Sequence, residues 1–184
     1  MINYEIKIVL LGDENTGKSK FFRNIVINKL IDSEQYVPTM GACFMIKVIK
    51  YKEKIFEISL WDTTGQEQFN NLLIMYAKNS DVYLLFYNPL SRKSFERIKN
   101  ILNIMKLNEQ KKDSIYILIE SKYDIKKEND TNKNIVSEEE ALEYADKNNL
   151  VFCHLSNKVE YEKGINEIFS KILNLYLKNK YILI

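Results

Sequence analysis

The run Gly12-Asp13-Glu14-Asn15-Thr16-Gly17-Lys18-Ser19, GDENTGKS, fits the pattern G-x-x-x-x-G-K-[ST]. Each conspicuous position has a physical reading. Gly12 and Gly17 permit a tight turn whose backbone N–H groups point at phosphate oxygens, aided by the positive end of a following helix. Candidate phosphate contacts are therefore Gly12 and the stretch from Glu14 through Asn15, Thr16, Gly17, Lys18 and Ser19 to Lys20. Lys18 adds a point charge on the outer phosphates, and Ser19 offers a hydroxyl to magnesium, a hard cation that prefers oxygen. ATPases, kinases and GTPases all remain open on this motif. Two carboxylates inside an anion-binding loop, Asp13 and Glu14, pose a question that charge alone does not answer.

Such a loop works only between a strand and a helix, and the chain supplies both. Ile6 to Leu11 reads as a buried strand, and after the loop Phe21, Phe22, Ile25 and Val26 fall on one side of a helix. Apolar runs and helical patterns then take turns, as a parallel sheet with crossover helices requires. Phe44 to Tyr51 and Lys54 to Trp61 read as an antiparallel hairpin turning at Lys52 and Glu53. A helix near Leu72 to Lys78 follows, then a strand at Val82 to Tyr87 and a helix with Ile98, Ile101, Leu102 and Met105 inward. Ile115 to Ile119 is a further strand, and KKENDTNKN a polar loop. Ser137 with Glu140 three residues on opens a capped helix. A last strand at Leu150 to Cys153 precedes a helix with Ile165, Ile168, Phe169 and Ile172 inward. With 184 residues, 46% hydrophobic, and no linker or repeat, the expectation is one domain, 1–184.

Composition excludes more than it proposes. A net charge of +2, from 27 basic and 25 acidic residues, gives no reason to expect a general nucleic-acid binder. Cys43 and Cys153 cannot make a disulfide framework; sitting in apolar runs, they read as reduced, packed thiols of an intracellular protein. No signal peptide, myristoylation site or membrane-spanning run is visible. The lone His154 reads as structural.

Further motifs narrow the class. WDTTGQE (Trp61 to Glu67), SKYD (Ser121 to Asp124) and LSNK (Leu155 to Lys158) each follow a strand, and YVPTMG surrounds Thr39. In that order and at those separations, over essentially the whole chain, the sequence resembles the Ras superfamily of small GTPases, most closely the Rab family. The resemblance implies a small G domain: an α/β P-loop NTPase fold, with a six-stranded mostly parallel sheet, one antiparallel hairpin strand and helices on both faces. It implies GTP or GDP and Mg2+ as ligands, with Ser19, Thr39 and Asp62 around the metal. Thr39 and the N–H of Gly65 would reach the terminal phosphate of GTP only, and Gln66, assisted by Lys18 and Thr39, would direct the attacking water. Asp124 would accept hydrogen bonds from the guanine edge, Ser121 and Lys122 would lie beside the base, and Ser156, Asn157 and Lys158 would form the turn that meets its carbonyl. Phe44, Trp61 and Tyr76 resemble the aromatic trio that Rab proteins present to effectors.

Departures from the pattern matter as much. Glu14 stands where the family usually has a small residue; a carboxylate about 4 Å from a phosphate charge costs about 4 kcal/mol at a protein surface, unless the side chain turns outward. Thr64 replaces the usual alanine and would crowd the terminal phosphate; Ser121 replaces the usual asparagine and shortens the reach to the base. No aromatic covers the guanine before Thr39, so Leu30 or Ile31 takes that place. The ending NKYILI does not match C-a-a-X, so membrane association is expected through partners alone. The expectation is a Rab-like switch in vesicle trafficking that slowly hydrolyses GTP and is regulated by exchange factors and activating proteins. Its rival is a GTPase-like module that binds nucleotide persistently because Glu14 and Thr64 block hydrolysis. An ATP-dependent kinase would leave SKYD and LSNK without a role.

Overall fold

The computed structural model describes residues 4–27, 39, 41–108, 111, 113–122, 135–155 and 161–182. In chain order these form β1 (Tyr4–Gly12), α1 (Lys18–Ile27), β2 (Ala42–Tyr51), β3 (Lys54–Thr63), a 3-10 turn (Glu67–Phe69) leading into α2 (Asn70–Ala77), β4 (Val82–Tyr87), α3 (Arg92–Leu107), β5 (Ile115–Ser121), α4 (Glu138–Asn148), β6 (Val151–Leu155) and α5 (Tyr161–Ile182). The six strands lie in the order β2-β3-β1-β4-β5-β6. Only the β2–β3 pair is antiparallel. This is the expected fold, with each strand close to its sequence-predicted bounds.

Alternation along β1 divides the core in two. Ile6, Ile8 and Leu10 pack with Phe21 and Ile25 of α1 and with Ile168, Phe169 and Ile172 of α5. Val9 and Leu11 face the other side, against Leu73 of α2, Phe95, Ile98 and Leu102 of α3, and Ala141 of α4. A strand buried on both faces must be apolar throughout, which is why β1, β4 and β5 read as continuous hydrophobic runs. The side chains of Ser91 and Ser137 accept from the backbone N–H groups of Ser94 and Glu140 and so start α3 and α4. The β2–β3 hairpin turns through Lys52 and Glu53 with φ of 46° and 60°. Positive φ at both positions matches the twist of the strands, although neither residue is a usual occupant.

Two expectations fail. Val26 is exposed and Asn24 is buried in its stead. Phe21 and Ile25 set the inward face of α1, and Val26 lies about 140° round the helix from Phe21. Cys43 is also exposed, whereas Cys153 is buried. β2 is an edge strand whose helix-covered residues begin at Met45, so Cys43 lies past the cover.

Candidate functional site

The carboxyl end of β1 sits beside that of β4, where chain connections leave in opposite directions and α/β sheets bind ligands. GDENTGKS wraps this end. Gly12 has φ 145° and lies so close to β4 that a Cβ there would stand 2.2 Å from the Phe86 carbonyl oxygen. Asn15 caps the loop at φ 57°, a left-handed conformation asparagine tolerates, and Gly17 follows at φ 89°. The buried Thr16 hydroxyl donates to the Asp13 carbonyl (2.7 Å), and the Phe21 N–H bonds back to Gly17 (2.9 Å) as α1 begins.

Both acids of the loop have a place. Asp13 Oδ1 accepts from the Glu14 N–H at 2.9 Å, bracing the turn, and the Glu14 side chain is exposed. Lys18 is buried and donates to the carbonyls of Gly12 (2.9 Å) and Asp13 (2.7 Å). Burial lowers its pKa to about 8, against the opposing pull of Asp62, Asp13 and Glu14.

Three oxygen-bearing side chains from three segments meet beside it. Ser19 Oγ and Thr39 Oγ1 are 3.0 Å apart, and Thr39 Oγ1 donates to Asp62 Oδ2 at 3.3 Å. Asp62 Oδ1 is buried without a hydrogen-bond partner. Burial pushes the Asp62 carboxyl upward, partly offset by Ser19, Lys18 and Thr39. An orphaned, desolvated oxygen next to two hydroxyls suits a hard divalent cation, so these residues fit the magnesium expected there.

The segment after β3 lies directly on the loop. A Cβ on Gly65 would stand 2.3 Å from the Glu14 nitrogen, so only glycine fits. Thr64 is buried; its N–H donates to Gly41 O (2.9 Å) and its hydroxyl accepts from the Gln66 N–H (3.3 Å). The extra hydroxyl thus helps fix the backbone at Gln66. The half-buried Gln66 side chain accepts from Gln68 Nε2 at 3.1 Å.

At the base end the sequence signal translates less directly. Ser121 is buried and its hydroxyl donates to the Tyr87 carbonyl at 2.8 Å. A Cβ on Gly17 would meet only the Ser121 side chain, at 3.7 Å. Lys122 has φ 56°; burial, then the charge of nearby Lys20, lowers its pKa. Lys20 Nζ stands 5.9 Å from the Tyr161 ring centre. Asp124, Ser156, Asn157 and Lys158 lie outside the described residues, as do Leu30 and Ile31.

Phe44, Trp61 and Tyr76 do come together, with ring centres 4.7 Å and 5.8 Å apart. Sequence reading missed how far the surface extends. Ile46 (53%) and Val48 (58%) share the Phe44 (49%) face of β2, and Met75 (56%) lies beside Tyr76 on α2. Strict alternation in β2, next to an exposed edge, was the available signal. Arg97 was missed too: it reads as an ordinary polar position of α3, yet it is buried and bonds Glu67 and Asn70.

A parallel sheet whose first strand ends in a phosphate loop, with magnesium-type ligands drawn from that loop, Thr39 and the end of β3, defines the small G-domain class of nucleotide-binding proteins. The chain belongs to the Ras family, whose model matches residues 7–178. It is 32% identical over 179 residues to the Ras-related protein RABG3b of Arabidopsis thaliana, covering 95% of this chain and 85% of that protein. RABG3f of the same plant is also 32% identical, over 95% of this chain and 83% of its own length. The Ras-related protein Rab7 of Pisum sativum is 31% identical over the same shares. The chain is thus a Rab7-like small GTPase of the Ras superfamily.

Proposed function

We propose that this chain, acting as one domain, is a magnesium-dependent guanine-nucleotide switch that slowly hydrolyses GTP and serves vesicle trafficking. The observation that carries it is the meeting of Ser19, Thr39 and the half-orphaned Asp62 beside buried Lys18. Magnesium would supply charge neutralisation between phosphate oxygens. The chain's own residues do the rest. The backbone from Gly12 to Lys20 cradles phosphates, and Lys18 exchanges its carbonyl partners for phosphate oxygens. Thr39 and Gly65 distinguish GTP from GDP, and Gln66 directs a water at the terminal phosphorus. The P–O bond to the leaving diphosphate breaks, giving GDP and inorganic phosphate. Asp124, with Ser121, Lys122 and the turn Ser156, Asn157 and Lys158, selects guanine. The Phe44, Trp61 and Tyr76 surface receives effectors, while exchange factors and activating proteins act on the two segments around Thr39 and Gln66.

The bond from the Gln66 N–H to the Thr64 hydroxyl supports hydrolysis over a blocked site, because it fixes the backbone at Gln66. Loading with GTP and magnesium, then denaturing samples over hours and identifying the nucleotide released, tests this. GDP accumulating with time, and slowed by Gln66→Leu, is the expected result. GTP persisting intact supports the non-hydrolysing module instead, and Glu14→Gly with Thr64→Ala would then restore turnover.

A further inference from the structure

A guanidinium is an unusual thing to bury, because its desolvation cost is recovered only when its donors are well matched. Arg97 of α3 is 6% exposed. Its Nη1 meets Glu67 Oε1 at 3.2 Å and its Nη2 bonds Asn70 Oδ1, while Nε is buried with no hydrogen-bond partner. Glu67 is 70% exposed, so this ion pair is worth little as a source of stability. That ion pair therefore does not by itself explain the arrangement, and its location suggests what does.

Both acceptors lie in the stretch immediately after Gln66, which is otherwise thinly held. The Glu67–Phe69 turn buries no residue, and neither it nor α2 has a side-chain cap. On its other flank Gln66 is fixed firmly, because Gly65 lies against the Asp13 and Glu14 backbone. Gln66 thus sits between a backbone contact and the Arg97 grip. That grip comes from α3, whose Phe95, Ile98, Ile101 and Leu102 are fully packed, so it does not move with the segment it holds. The guanidinium is also near enough for its charge to oppose protonation of Lys18.

We propose that Arg97 is a positioning residue for GTP hydrolysis, holding Glu67 and Asn70 to α3 so that Gln66 stays aligned beside the phosphate loop; this rests on the hydrolytic reading above. Arg97 touches no reacting atom. It acts by restricting where Gln66 can be when water attacks, and misplacement on the order of 1 Å costs up to about 100-fold in rate. The clamp would be engaged when the Gln66 segment is folded against the phosphate loop, so it also favours the GTP form over the GDP form.

The test is single-turnover hydrolysis by the full chain loaded with GTP and magnesium, alongside GDP affinity and melting temperature. Arg97→Gln should slow hydrolysis by about tenfold or more while GDP affinity and melting stay near native values. Arg97→Lys should recover part of the rate. Glu67→Ala, at an exposed position where misfolding is not a concern, should slow turnover and add nothing to Arg97→Gln. An unchanged rate in Arg97→Gln overturns the proposal, as does a parallel fall in GDP affinity with Glu67→Ala silent. A native chain that binds GTP but never hydrolyses it sinks the hydrolytic reading instead. The clamp is then judged by amide exchange over residues 66–77 with a non-hydrolysable GTP analogue bound: faster exchange in Arg97→Gln upholds it, and equal exchange overturns it.

Discussion

The phosphate end and the base end of this site stand on the same sheet and are built in different ways. At the phosphate end the close contacts are made by backbone: Gly12 against Phe86, Gly65 against Glu14, and the Phe21 N–H back to Gly17 where α1 begins. Asp13 and Glu14 are accommodated there, one as a brace and one exposed. At the base end the proposed recognition falls to side chains, and Ser121 there spends its hydroxyl on the Tyr87 carbonyl. Backbone-built recognition tolerates sequence drift, and side-chain-built recognition does not.

The largest effect that would sharpen this contrast is expected at Lys18, the buried cation of the phosphate loop. Lys18→Met should weaken GDP binding by about 100-fold or more, given about 1.5–3 kcal/mol for each hydrogen bond to a charged group, as calorimetry with magnesium present would show. The empty protein should melt no lower than the native chain, because the variant removes a buried ammonium. A modest loss of binding would break the idea that this end depends on Lys18 at all.

Glycine replacement separates geometry from chemistry. Gly12→Ala forces a Cβ to 2.2 Å from the Phe86 carbonyl oxygen at a φ that favours glycine, and should cost about 3 kcal/mol or more. In a chain of this size that is about 6–12 °C in melting temperature. Gly17→Ala meets nothing closer than 3.7 Å and pays only for its φ of 89°, so its loss should be smaller. Equal losses would show that backbone conformation, not the close approach to β4, sets the requirement.

The same division explains what the sequence made legible. The phosphate loop, the strands and the mostly parallel character of the sheet could be read because buried parallel strands and glycine turns leave composition signals. Ser19, Thr39 and Asp62, far apart in the chain, meet in space. Arg97 could not be found, since an arginine on a helix carries no mark of burial until α2 and the turn before it are placed against α3. Cys43 and Val26 misled for the related reason that an apolar run does not say where helical cover ends. The extent of the exposed apolar face, through Ile46, Val48 and Met75, likewise depended on knowing that β2 is an edge.

A pH series tests the phosphate end without mutation. In the empty protein Lys18 titrates at about 8 instead of 10.5, so between those values the unfolded chain holds a proton that the folded chain has released. Stability of the empty protein therefore rises with pH across that window. Binding runs the opposite way, because a phosphate anion favours the ammonium. Above about pH 8 each binding event must take up a proton, and affinity should fall by up to about tenfold per pH unit. Nucleotide affinity that is flat from pH 7 to 10 would mean Lys18 is charged in both states.

The smallest effect is the most informative about the base end. Ser121→Asn places a longer side chain beside Gly17, where a Cβ built on Gly17 would stand 3.7 Å from the Ser121 Cβ. If the shortened residue limits recognition, GDP affinity should rise several-fold, the equivalent of about 0.5–1.5 kcal/mol for one hydrogen bond, with discrimination against ADP improving in step. The replacement also gives up the donor to the Tyr87 carbonyl, so melting temperature must be read together with affinity. Tighter binding at equal or slightly lower stability would place the weakness of the base end in this one side chain. Unchanged affinity would move it to the rest of the guanine pocket and make the two ends of the site alike in their tolerance of substitution.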